Sequence, residues 1–123
     1  MTFDTWSDRS YSADSEEAKS IYVLWEAGEG GYDWWIEALI AKRFGDEVRY
    51  AVYSDSGCSC SSEFEDEPTG FLFDPNLDRV IGGMCEDLRG SSEWRMGPDQ
   101  KVSEVASLKQ FAQKIRKGEV TIP

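Results

Sequence analysis

The chain contains no histidine among its 123 residues. This absence excludes the Ser-His-Asp and Cys-His nucleophilic systems, acid–base catalysis by histidine, and every zinc site that needs an imidazole ligand. We therefore predict a protein that is not an enzyme, with no catalytic residue, no metal site and no cofactor.

Long hydrophobic stretches are also missing, since no run reaches the roughly 18 apolar residues of a membrane-spanning helix. The N-terminus MTFDTWSDRS has neither the basic region nor the apolar stretch of a signal peptide. Cysteine is scarce, and Cys58, Cys60 and Cys85 are too few and too unevenly spaced for a disulfide framework. We expect a cytoplasmic protein with reduced thiols and no membrane association.

Basic residues are few, with 13 Lys and Arg against 24 Asp and Glu, a net charge of -11. Residues 1 to 70 hold 16 acidic and 5 basic side chains, whereas residues 71 to 123 hold 8 of each. Because affinity for phosphate backbones comes chiefly from Lys and Arg, we expect no direct binding to nucleic acid. The charge favours a basic or amphipathic protein partner, and the alternative is that it only maintains solubility.

The length is typical of one domain. Residues 1 to 18 are rich in Ser, Thr and Asp and include Phe3, Trp6 and Tyr11, which predicts a flexible acidic and aromatic arm before a single domain over 19 to 123. The arm either docks on its own domain, which we favour, or presents a short motif to a partner.

Three segments are candidates for strands. KSIYVLWE (19 to 26) is an apolar run with two apolar faces, which is typical of a strand. EVRYAVYS (47 to 54) alternates Val48, Tyr50 and Val52 with Arg49, Ala51 and Tyr53. Between them, DWWIEALIAKRFG is ambiguous: it is either a helix capped by Asp33 and ended by Gly45, or a strand with one face formed by Trp34, Ile36, Ala38 and Ile40. The tight turn at Gly45 and Asp46 favours a hairpin, and hence an antiparallel meander.

The C-terminal half contains helical patterns. DPNLDRVIGGMCEDLRG places Leu77, Val80, Ile81, Met84 and Leu88 on one helical face, with a short hairpin as the alternative. VSEVASLKQFAQKIRKG forms a clearer apolar stripe and ends at Gly118, and EVTIP is a candidate edge strand. The predicted fold class is α+β, an antiparallel β-sheet (meander) with a C-terminal α-helix packed on one face.

The stretches YDWWIEALIAKRFGDEVRYAVYSDSGCSC and SSEFEDEP, following an aromatic strand, resemble a family of small proteins encoded by tailed phages of actinobacteria. The resemblance covers roughly residues 20 to 68, and SDSGCSC is its most distinctive part. It implies a phage origin and an antiparallel sheet, and it carries no activity, cofactor or catalytic residue.

The two neighbouring thiols in SDSGCSC raise the question of a metal or redox site. The C-x-C spacing chelates zinc awkwardly and no fourth cysteine exists, while nearby carboxylates raise a thiol pKa. We interpret the segment as a turn in which Cys58 and Cys60 are tucked in as small hydrophobic side chains. The alternative is a small metal- or thiol-dependent protein that uses Cys58, Cys60 and Cys85.

The acidic run that ends at Pro68 has the composition of a solvated loop. We predict that it contacts a basic partner, with Phe64 or Phe71 as the apolar anchor. The predicted function is a non-catalytic protein-binding module, a modulator or inhibitor of a host or phage protein. The predicted partner-binding residues are Asp55, Glu63, Phe64, Glu65, Asp66 and Glu67.

Overall fold

A computed structural model describes residues 2 to 123. Within them, the strands β1 (Ile21–Glu29), β2 (Asp33–Phe44) and β3 (Glu47–Cys58) form an antiparallel sheet in the order β1-β2-β3. The helices are α1 (Glu16–Ser20), α2 (Leu77–Arg89) and α3 (Pro98–Arg116). The predicted α+β class and the meander are therefore confirmed.

The central strand β2 is the segment that the sequence left ambiguous. Its residues from Trp34 to Ala41 are buried without interruption, as expected for a strand covered on both faces. Gly45 has a φ of +66° in the turn to β3, a conformation that glycine adopts without steric cost. The hairpin interpretation was correct, and the helix alternative was wrong because both faces of the segment are covered.

Strand β1 contains an irregularity that the sequence did not reveal. The register with β2 shifts between Val23 and Trp25, which leaves Leu24 without a partner. Leu24 and Trp25 consequently both pack into the cluster beneath the helices. Such a bulge re-aims the strand beyond it.

Helices α2 and α3 cover one face of the sheet. Their apolar sides pack on Trp35 and Leu39 of β2, and the stripes predicted from the sequence are the buried ones. Gly118, with a φ of +75°, follows the end of α3. The edge strand predicted at EVTIP is absent; Ile122 is instead buried, and its carbonyl accepts a hydrogen bond from Arg43 Nη2 at 2.6 Å.

The other face is covered by the N-terminal residues and the loop after β3. Trp6 is 2 % exposed and packs against Tyr53 and Phe64. The backbone N–H of Val23 donates to the carbonyl of Asp4 at 2.9 Å, which attaches the segment to the edge of β1. Residues 2 to 18 therefore pack on the rest of the domain, because they supply a core tryptophan; of the two alternatives, docking is observed for this segment.

Candidate protein-binding groove

Three adjoining depressions lie where the β1–β2 turn meets the loop after β3. Their volumes are about 240, 330 and 280 Å³. The first two share Gly30 and Glu63, and the last two share three serines of the loop. Because neighbouring depressions share lining residues, we describe the three together as the acidic groove. Its lining comprises Tyr11, Glu26, Ala27, Gly28, Glu29, Gly30, Gly31, Trp34, Ile36, Ser59, Cys60, Ser61, Ser62, Glu63 and Glu65.

The acidic groove is lined by four carboxylates, those of Glu26, Glu29, Glu63 and Glu65, and by no lysine or arginine. Arg9 lies outside the lining, where it forms a bidentate pair with Glu26 at 2.9 and 3.0 Å. This pair offsets one of the four negative charges. The groove therefore keeps an excess of negative charge that faces solvent.

The Glu63 side chain lines both of the first two depressions. Partial burial raises its pKa, and repulsion from Glu26 raises it further, while Arg9 acts in the opposite direction. A cation placed beside Glu63 would stabilise the ionised form and lower that pKa. A basic partner therefore stabilises the ionised form of Glu63 more than it would stabilise a fully solvated carboxylate.

Backbone packing fixes the walls of the groove. A side chain at Gly28 would collide with the carbonyl of Trp35, so β1 can approach β2 closely only with glycine there. On the opposite wall, Trp34 Nε1 donates to the carbonyls of Cys58 and Ser61, both at 3.0 Å. This indole holds the loop after β3 in a defined position, because one buried donor joins both ends of the turn.

Tyr11 stands at the far end of the groove and was not among the predicted site residues. It is 87 % exposed and has a φ of +61°, which is uncommon for a residue with a side chain. An exposed tyrosine in a strained backbone position is a candidate for a functional contact. The sequence signal was the aromatic content of residues 1 to 18, but nothing in it distinguished exposed Tyr11 from buried Trp6.

Phe64 does not lie on the surface. It is 0 % exposed, has a φ of +63°, and packs with Trp6 and Tyr53. Its backbone N–H donates to the hydroxyl of Tyr53 at 3.0 Å. The prediction of an apolar anchor at Phe64 is therefore corrected: the loop folds back, and its phenylalanine completes the core.

The other predicted partner-binding residues are divided between the interior and the surface. Asp55 is half-buried and accepts hydrogen bonds from the Tyr53 hydroxyl at 3.0 Å and the Ser56 N–H at 2.8 Å, which gives it a structural role. Glu65 lines the groove, and Asp66 and Glu67 are exposed just beyond it. The structure thus brings Glu63 and Glu65 together and leaves Asp66 and Glu67 on the adjoining surface.

The three cysteines are not brought together. Cys58 is half-exposed and Cys60 is exposed, with their Sγ atoms 2.6 Å apart, whereas Cys85 is buried beneath the helices. The turn was predicted correctly, since the Ser61 N–H donates to the Cys58 carbonyl at 3.1 Å. The tucked-in orientation of Cys58 and Cys60 was wrong, because the turn carries both thiols outward. Among residues 2 to 123, no group of three or more His, Cys, Asp or Glu side chains could hold a metal ion.

A second large depression lies between α2 and α3, with a volume of about 520 Å³. It is lined by apolar residues together with three cations, Arg89, Lys101 and Lys109. Its charge is opposite to that of the acidic groove, so it would repel a basic partner. A basic partner is therefore expected to bind the acidic groove in preference to the depression between the helices.

No helix in the described part of the chain is long and apolar enough to cross a membrane. Comparison of the chain with protein-family models, curated proteins and solved structures found no match.

Proposed function

We propose that the chain is a non-catalytic protein-binding module whose acidic groove receives a basic segment of a partner protein. The observation that carries this proposal is the groove itself, three adjoining depressions lined by four carboxylates and by no lysine or arginine. Exposed Tyr11 at one end supplies an aromatic contact of the kind that is enriched among residues dominating binding energies.

The charge of the whole molecule supports the same direction of approach. The segments that cover the groove side of the sheet, residues 2 to 20 and 59 to 70, hold 9 acidic and 2 basic side chains. The helical side, residues 77 to 119, holds 7 acidic and 8 basic side chains. The charge therefore favours approach of a basic partner from the groove side, and such steering raises association rates at low ionic strength.

The groove also provides hydrogen-bonding groups for a backbone. Ser59, Ser61 and Ser62 line its central and distal parts beside Gly30 and Gly31. An extended segment with Lys or Arg side chains could satisfy its amides on these groups while its cations reach Glu29, Glu63 and Glu65. The resemblance to phage proteins makes a host or phage protein in the bacterial cytoplasm the proposed partner, with this chain as its modulator or inhibitor.

Affinity capture with matched charge variants tests the proposal. The groove variant combines Glu29→Gln, Glu63→Gln and Glu65→Gln. The control variant makes the same change in net charge on the helical side, with Glu86→Gln, Glu93→Gln and Glu119→Gln, all three of which are exposed. Each tagged protein is incubated with bacterial lysate at low and at high salt, and the retained proteins are identified by mass spectrometry.

We expect the wild-type protein and the control variant to retain the same basic protein at low salt, and the groove variant to lose it. High salt should release the partner, because screening weakens interactions between exposed charges. Retention of the same protein by the groove variant would contradict the proposal, as would loss by both variants, since net charge alone would then explain binding.

A further inference from the structure

Cys58 and Cys60 form a pair of accessible thiols in direct contact. Their Sγ atoms lie 2.6 Å apart, Cys60 is exposed and Cys58 is half-exposed. Cys85 is buried on the other side of the sheet, so it cannot reach either thiol without unfolding. The two thiols therefore have only each other as a sulfur partner within the folded chain.

The backbone around the pair is constrained, which keeps the two sulfurs together. Trp34 Nε1 donates to the carbonyls of Cys58 and Ser61 at 3.0 Å, and the two acceptors flank the Cys60 side chain in sequence. A Cβ atom at Gly57 would lie 2.7 Å from the Trp34 ring, so this residue must be glycine for the indole to reach the turn. Because the fold already holds the two thiols together, formation of a bond between them loses little conformational entropy.

The two thiols differ in character. The hydrogen bond between the two thiols lowers the pKa of Cys58 and raises the pKa of Cys60. The carboxylates of Asp33 and Glu65 oppose ionisation of Cys58 and Cys60, respectively. These pKa directions favour Cys58 as the attacking thiol, because the thiolate is the nucleophilic form.

We propose that Cys58 and Cys60 are a thiol–disulfide exchange site that reduces low-molecular-weight disulfides, such as oxidised glutathione. The Cys58 thiolate attacks one sulfur of the disulfide, forms a mixed disulfide and releases the first small thiolate. The Cys60 thiolate then attacks Cys58 Sγ, closes the Cys58–Cys60 bond and releases the second small thiolate. Two protein thiols are oxidised, one small disulfide is reduced, and the two protons are carried by the released thiols.

This activity does not rest on the proposed binding function, although Cys60 lines the distal end of the acidic groove. The exchange needs only access of a small disulfide to the exposed turn. Removal of the thiols leaves the groove carboxylates in place, so cysteine variants test the exchange activity apart from the binding function.

The test uses the reduced full-length protein, treated with oxidised glutathione, quenched with acid, and alkylated with N-ethylmaleimide in denaturant before intact-mass analysis. We expect the wild-type product to lose two hydrogens, retain no glutathione and alkylate one cysteine, Cys85. In Cys60→Ser the second step is absent, so one glutathione should remain on Cys58. The mixed disulfide should persist at least about tenfold longer in this variant than in the wild type.

Two controls keep the test independent of folding. Cys85→Ala should close the Cys58–Cys60 bond as the wild type does, with no cysteine left to alkylate. Tryptophan fluorescence before and after treatment should show that each variant remains folded. Equal accumulation of the glutathione adduct in the wild type and in Cys60→Ser would overturn the proposal, as would alkylation of all three wild-type cysteines after treatment.

Discussion

Glu37 lies in the middle of the central strand, on the side covered by the helices, and is only 6 % exposed. Burial raises its pKa to about 7, and the charge of Asp87 adds to this effect. The hydroxyl of Ser54, directly opposite on β3, donates to Glu37 Oε2 at 2.6 Å and acts in the opposite direction, as does Arg95. Glu37 Oε1 has no donor when the carboxylate is ionised, whereas the protonated carboxyl can donate to Asp87.

The sign of the resulting pH dependence follows from the raised pKa. The folded protein holds the proton up to a pH of about 7, whereas the unfolded chain releases it near the ordinary value of 4.5. Between these values the folded state binds more protons, so the free energy of unfolding falls as the pH rises through this window. The difference in pKa corresponds to a loss of at most about 3 kcal/mol.

Glu37→Gln mimics the protonated side chain at every pH, because its amide can donate to Asp87 and cannot ionise. We expect this variant to be more stable than the wild type by about 3 kcal/mol at pH 8 and by less than about 1 kcal/mol at pH 5. Urea unfolding at a series of pH values, followed by tryptophan fluorescence, measures both free energies.

The difference between the two proteins isolates Glu37. Glu63 also has a raised pKa, but it is present in both, and the chain has no histidine to titrate in this range. The reasoning would be refuted if the two proteins lost stability in parallel between pH 5 and 8, or if Glu37→Gln were the less stable protein at pH 8.

Four further substitutions have defined outcomes in urea unfolding or binding. Tyr11→Gly should raise the free energy of unfolding by up to about 1 kcal/mol, because it relieves a positive φ, and should weaken partner capture; unchanged capture would remove Tyr11 from the binding surface. Trp6→Ala should lower the free energy of unfolding by about 3 to 5 kcal/mol, because it empties a core position between Tyr53 and Phe64. A decrease below about 1 kcal/mol would show that the N-terminal segment is not docked. Gly82→Ala and Gly83→Ala should each stabilise α2 by about 1 kcal/mol, since a Cβ atom at either position meets only open space, and destabilisation by either change would indicate an unseen constraint.

The spacing of apolar residues in the sequence predicted the helices and strands that have a regular pattern of apolar side chains. The stripe on α3 identifies its buried face, and the turn at Gly45 decides between helix and strand for β2. The alternation in β3 predicts a strand, but the structure covers both of its faces. The bulge at Leu24 could not be predicted, because an extra residue in one strand is defined only by the partner strand.

The candidate site was predicted less completely, for a physical reason. Composition showed that the loop after β3 is acidic, but the exposure of each side chain depends on how the loop folds back over the sheet. Phe64 enters the core there, while Tyr11, from the other end of the chain, remains exposed beside Glu65. Glu37 was hidden for a similar reason: its environment is created by residues on β3 and α2, which are distant in sequence.

Chemical-shift mapping tests the binding function most directly. Titration of the isotopically labelled protein with an extended Lys- and Arg-rich peptide should shift the amide signals of Gly30, Gly31 and Ser59 to Ser62, and the shifts should diminish with added salt. The same titration of the groove variant should give little change. Shifts centred on Val102 and Lys109 in the depression between the helices, or equal shifts in the wild type and the groove variant, would contradict the assignment of the acidic groove as the binding site.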